Sequence, residues 1–173
     1  MITQKINKES YYKIVFLGDR GTGKTSLIRR MFELPFTEDN YSPTSGIRYE
    51  NVDFTQNEKK YYLQFCDVSG NIIYLELLPS ILKSASIAIL IFDYKNENSQ
   101  ERIMQLFEIV KNNLPEERIF IIGNKFEKEK KEIPKRLASF ISKNDIRVYP
   151  ISVKENKGIQ LILQNIIKKI DRL

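Results

Sequence analysis

The sequence predicts an α/β fold: a doubly wound, six-stranded, mostly parallel sheet with one antiparallel edge strand and about five helices. Three observations predict it. Short apolar runs alternate with segments whose apolar residues recur at helical spacing. The run Ile87 to Phe92 is apolar at every position, as expected of a strand covered on both faces of a parallel sheet. The stretch "IRYENVDFTQNEKKYYLQFCD" reads as a hairpin turning at polar "TQNEKK", which supplies the antiparallel strand. A chain of 173 residues suffices for one domain with a sizeable core. We read residues 1–10 as a short N-terminal tail and 11–173 as the domain.

Taken in order, Tyr11 to Leu17 is a strand. Lys24 to Phe32 is a helix with Leu27, Ile28, Met31 and Phe32 on one face. After the hairpin and the strand at Ile87, Asn98 and Glu101 have the spacing of a capping box. The helix they open turns Ile103, Leu106, Phe107 and Val110 inward. "RIFIIG" is a buried strand. Ile133 to Ile141 is a short helix with Pro134 near its start. "IRVYPI" is the last strand, and the last helix carries Ile159, Ile162, Leu163, Ile166 and Ile170 at helical spacing. In such sheets ligands bind at the carboxyl ends of the strands.

Composition excludes several classes. Hydrophobic residues make up 42% of the chain, so a packed domain is expected rather than disorder. The net charge of +6 invites a nucleic-acid partner, yet the lysines are interleaved with glutamates, as in "NKFEKEKKEIPKR". That pattern reads as a solvated loop and helix start, and no aromatic-rich basic stretch accompanies it, so no nucleic acid is expected. The sequence has no histidine, which excludes histidine triads and histidine metal ligands and removes the commonest general base. The single cysteine, Cys66, lies in an apolar run and reads as a buried thiol in a reducing, cytoplasmic setting. No run is long enough to span a bilayer. The start has no secretory h-region and is not Met-Gly, and the end has no cysteine for a prenyl group. We therefore expect no intrinsic lipid anchor, and membrane contact only peripheral or through partners.

The stretch that carries chemistry is "GDRGTGKT", between the first strand and the first helix. It matches G-x-x-x-x-G-K-[ST], the phosphate loop of a P-loop NTPase. Gly18, Gly21 and Gly23 let the backbone wrap around an anion, and the helix behind adds its positive end. Thr22 and Ser26 belong to the same cradle. Lys24 brings a charge to the β- and γ-phosphates, and the Thr25 hydroxyl is a ligand for Mg²⁺.

Further motifs follow in order. These are "YSPTSG", "DVSGN", "GNKFE" and "ISVKENKG". In this order and spacing the chain resembles a Ras-superfamily small GTPase over roughly residues 11 to 170. "LQFCDVSG" and "IFDYKNENS" look most like the Ras and Rab branches, and Gly46, Ile47 and Tyr49 after Thr44 resemble a Rab-type switch I. The resemblance implies GTP/GDP and Mg²⁺ as ligands. It implies that Thr44 closes over metal and γ-phosphate, that Asp67 holds Mg²⁺ through water, and that the Gly70 amide senses the γ-phosphate. It implies that Asn124 meets the base edge, that the Lys125 stem lies along the ring, and that Glu127 accepts from the guanine N–H groups. Ser152, Val153 and Lys154 would border the guanine oxygen, and Phe36 would stack on the base. Effector, exchange-factor and activating proteins would dock on the segments around Thr44 and Gly70.

Three positions depart from the family's pattern. Asn71 stands where glutamine commonly orients the attacking water, and its amide is one methylene short. Slow intrinsic hydrolysis is expected, because positioning is most of the catalysis in phosphoryl transfer. Arg20 stands where the family has a small residue. Its side chain has three courses: out into solvent, across the entry of a partner's arginine finger, or toward the phosphate as an arginine in cis. Glu127 replaces aspartate; guanine preference should survive, with weakened affinity. A GTP-loaded scaffold that does not hydrolyse is the competing reading. A P-loop kinase would need an arginine-rich lid, and no such segment stands out.

Overall fold

A computed structural model of the chain describes residues 11–32, 44–126, 133 and 135–173. The expected tail 1–10, Phe36, Glu127 and Pro134 lie outside the described residues. The elements run β1 (Tyr12–Leu17), α1 (Lys24–Met31), β2 (Ile47–Gln56), β3 (Lys59–Val68), a 3₁₀ turn (Ile72–Leu77), α2 (Leu78–Leu82), β4 (Ile87–Asp93), α3 (Glu97–Lys111), β5 (Ile119–Asn124), α4 (Lys135–Lys143), β6 (Val148–Pro150) and α5 (Ile159–Ile170). The six strands form one sheet in the order β2-β3-β1-β4-β5-β6. β2 pairs antiparallel with β3 and is the edge; the other neighbours are parallel.

Strand periodicity divides the core. Ile14 and Phe16 of β1 point to one face and meet Leu27, Ile28 and Met31 of α1 and the apolar stripe of α5. Val15 and Leu17 point to the other and meet α2, α3 and Leu137 of α4. Successive side chains of a strand alternate faces, so one short run feeds both layers. β4, buried at all its positions, lies at the centre. Each fully buried leucine or isoleucine there contributes roughly 1.5–3 kcal/mol by leaving water. The inward residues expected on α3 and α5 are all buried.

Local details differ from expectation in three places. The hairpin turns on two residues, Asn57 and Glu58, both at positive φ (50° and 64°), and the strands continue through the flanking polar residues. That is the twist a two-residue hairpin prefers. The cap of α3 is Asn96, not Asn98: Asn96 is extended and its side-chain oxygen accepts from the Ser99 amide at 3.3 Å. Asn98 lies inside the first turn, and Glu101 pairs instead with Arg136 at 2.8 Å. The helix expected from Ile133 begins at Lys135.

Candidate functional site

The phosphate loop joins the end of β1 to α1. Gly23 precedes α1 at φ 96°, and a Cβ there would come 2.4 Å from Asn124 Nδ2. A larger residue would be both strained and obstructed. Lys24 is 6% exposed, and its ammonium folds back to donate to the carbonyls of Gly18 and Asp19, each at 2.9 Å. Burial holds its pKa below the ordinary lysine value, and the charges of Asp67 and Asp19 counter that shift. Thr22 is buried and donates to the Asp19 carbonyl at 2.9 Å, while the Asp19 carboxylate accepts from the Arg20 amide at 2.8 Å. Ser26 is half-buried in the first turn of α1. Asp19 thus organises the loop, a role the motif alone does not signal.

Thr25, Thr44 and Asp67 converge beside it. Thr25 Oγ1 lies 2.5 Å from Asp67 Oδ2 and 3.0 Å from Thr44 Oγ1, and Thr44 Oγ1 lies 3.5 Å from the same carboxylate oxygen. The other oxygen, Asp67 Oδ1, is buried and has no hydrogen-bond partner among the described residues. Burial raises the Asp67 pKa, and the bond from Thr25 and the charge of Lys24 oppose the rise. A free buried carboxylate oxygen beside two hydroxyls is an oxygen-only donor set of the kind a hard divalent cation takes.

Across the crevice, Asn124 ends β5 and is buried. Its Nδ2 donates to the Thr22 carbonyl at 2.8 Å, and its Oδ1 accepts from the Val153 amide at 3.1 Å. One side chain therefore ties the phosphate loop to the loop after β6. Ser152 is buried there, accepts from the Glu155 amide at 3.2 Å and bridges to Lys157; Lys154 is exposed. Lys125 follows Asn124 at φ 60°, with its ammonium 2.6 Å from Asp93 Oδ2. Hydrogen bonds thus join the phosphate loop to Asn124 and Val153, and Thr25 to Thr44 and Asp67, near the carboxyl ends of β1, β3 and β5. The model of the Ras family matches residues 13–172.

The chain belongs to the Ras family. As a Ras-family protein it is a small GTPase that binds guanine nucleotide and works with regulators and effectors.

The segment after β3 gives this Ras-family site its individual character. Gly70 lies against the phosphate loop, where a Cβ would come 2.3 Å from the Arg20 amide nitrogen. Asn71 is exposed, and its side-chain oxygen accepts from the Ile73 amide at 3.2 Å, capping the 3₁₀ turn. Arg20 is exposed, and its guanidinium has no hydrogen bond or ion pair among the described residues. Arg20, Thr44, Gly70, Asn71 and Arg102 line one open cleft. Sequence reasoning missed Asp93, for which a lone carboxylate closing the all-apolar run "IAILIFD" was the available signal.

Proposed function

We propose that this Ras-family protein is a Mg²⁺-dependent GTP/GDP switch of the Ras/Rab-like kind, with slow unaided hydrolysis. The observation that carries slowness is the engagement of Asn71. Its amide oxygen is occupied as a cap, and its stem is one methylene shorter than glutamine's. A water beside the γ-phosphate therefore lacks a firm orienting group from this chain.

Thr25, Thr44 and Asp67 would hold Mg²⁺, which when bound neutralises charge on the β- and γ-phosphates. Lys24 and the loop amides bind and orient the phosphates. The Asn124 bridge keeps the base loop in register with the phosphate loop. Gly70 brings its backbone to the γ-phosphate side without a side chain intervening. The segments around Thr44 and Gly70 are the natural switch elements, and the exposed Ile72, Ile73 and Leu77 beside Gly70 suit a protein partner. The setting we propose is cytoplasmic, with membrane contact through partners; among the described residues no helix is long and apolar enough to cross a membrane.

A second reading is a GTP-loaded scaffold that hydrolyses nothing. The exposed Arg20 favours it, because a cation at this cleft repels an incoming arginine finger. A single-turnover assay separates the two. Phosphate release over hours supports the switch. No release, even with a candidate activating protein, supports the scaffold.

A further inference from the structure

Below the base loop lies a carboxylate that neither the phosphate loop nor the metal cluster uses. Asp93 ends β4, between the strand of the phosphate loop and the strand of the base loop, and its register partner on β5 is Asn124. It is 6% exposed. Oδ1 accepts from the Lys95 amide at 2.8 Å, and Oδ2 lies 2.6 Å from Lys125 Nζ. Its backbone is held from both sides. The amide donates to Ser99 Oγ at 2.9 Å, and the carbonyl accepts from Gln100 Nε2 at 3.3 Å, both side chains being buried on α3. The carboxylate is thus fixed by rigid elements.

Lys125 is its opposite. It sits at positive φ, a conformation costly for a residue with a long side chain, and 43% of its side chain is exposed. A four-carbon stem in that setting samples many rotamers unless its head is held. A buried carboxylate is a poor device for stability alone, since desolvation offsets much of the attraction. Held at 2.6 Å, however, it limits the stem to the rotamers that carry the ammonium to Asp93.

We propose that Asp93 is a positioning residue for guanine-nucleotide binding. By holding the Lys125 ammonium it fixes the lysine stem as a wall of the base site and lengthens the residence of the nucleotide. This rests on the reading that the loop at Asn124 and Lys125 holds guanine.

The test compares the wild-type protein with Asp93→Asn, Asp93→Glu, Lys125→Met and the Asp93→Asn/Lys125→Met double variant. Asparagine keeps the oxygen that accepts from Lys95, so the turn after β4 is preserved. Dissociation of GDP labelled on the ribose is followed with Mg²⁺ present. Competition by inorganic pyrophosphate, which engages the phosphate loop alone, is measured in parallel. Asp93→Asn is expected to speed release roughly tenfold, as loss of a charge-assisted bond does. Pyrophosphate competition should be unchanged, and Asp93→Asn should add nothing in the Lys125→Met background. Release within twofold of wild type, an equal loss toward pyrophosphate, or full additivity with Lys125→Met overturns the proposal. Should Asp93→Asn fail to fold, Asp93→Glu, which keeps the charge and displaces it, decides: faster release supports the proposal, unchanged release overturns it. A wild-type protein that holds labelled ADP as tightly as labelled GDP overturns the guanine reading itself, before any variant is compared.

Discussion

Gly70 and Arg20 touch through their backbones: a Cβ built on Gly70 would stand 2.3 Å from the Arg20 amide nitrogen and 2.8 Å from its Cα. The obstacle is main chain of the phosphate loop, so no rotamer change relieves it. Gly70→Ala is expected to push residues 69–71 off the loop while leaving Lys24 and Asn124 in place. GDP binding should persist, and GTP hydrolysis should fall by about 10²-fold, the scale of a misplacement near 1 Å. Parallel nucleotide titrations and single-turnover hydrolysis check this.

Lys24→Ala acts differently. It leaves the Gly18 carbonyl without its buried donor, at about 1–3 kcal/mol for the group left unpaired, while the Asp19 carbonyl keeps the Thr22 hydroxyl. It also removes the charge meant for the phosphates. The variant should melt at a lower temperature than wild type and retain no nucleotide through purification. Thermal unfolding with and without added GDP measures both effects, and the GDP-induced rise should be absent.

The rate of hydrolysis should respond to Asn71 and Arg20. Asn71→Gln adds the missing methylene, and Arg20→Gly opens the cleft that both residues line. Unaided hydrolysis in this class is already on the order of 10⁻⁴ s⁻¹. Asn71→Gln should raise the wild-type rate about tenfold. Arg20→Gly alone should change it little, and should restore sensitivity to an activating protein that supplies an arginine. Phosphate release under single-turnover conditions reads each effect.

Metal removal tests the cluster of Thr25, Thr44 and Asp67. Chelation with EDTA should accelerate GDP release from the wild-type protein by at least about tenfold, since it strips the positive charge shared with the phosphates. Asp67→Asn should release GDP rapidly with Mg²⁺ present and respond little to EDTA. Fluorescence of a ribose-labelled GDP follows both.

The C-terminal end of α5 is tied to the hairpin. Asp171 Oδ1 lies 2.5 Å from Lys59 Nζ and 3.1 Å from the Tyr61 hydroxyl. The bond from Lys59 holds the Asp171 pKa below the ordinary aspartate value. A depressed carboxylate contributes stability above its unfolded-state pKa, and that contribution is lost as pH falls through the lower folded value. Asp171→Asn should therefore lower Tm slightly at pH 7, and the difference should close in acid below the ordinary aspartate range. The effect stays small because the pair is exposed.

Much of this was legible in the sequence, for physical reasons. The α/β class followed from β4, whose unbroken apolar run requires cover on both faces, whereas the strand order is seen only in the structure. The phosphate loop followed from glycines at fixed offsets, because close backbone approach to an anion leaves few alternatives. In the sequence Asn71 reads as a departure but not as a cap: whether its side-chain oxygen accepts from the Ile73 amide or from a water depends on the turn that follows. Asn96 prevailed over Asn98 because capping depends on which residue is extended, and spacing alone does not report it. Asp93 escaped notice because its meaning comes from a strand pairing, Asp93 with Asn124, that joins residues far apart in the chain.

The most direct test of the central claim is single-turnover hydrolysis by the purified protein loaded with γ-labelled GTP in Mg²⁺, beside the same protein offered ATP. The account predicts stoichiometric loading with GTP, no loading with ATP, and phosphate release at or below about 10⁻⁴ s⁻¹. Equal loading with ATP, or unaided turnover many times a minute, would contradict it.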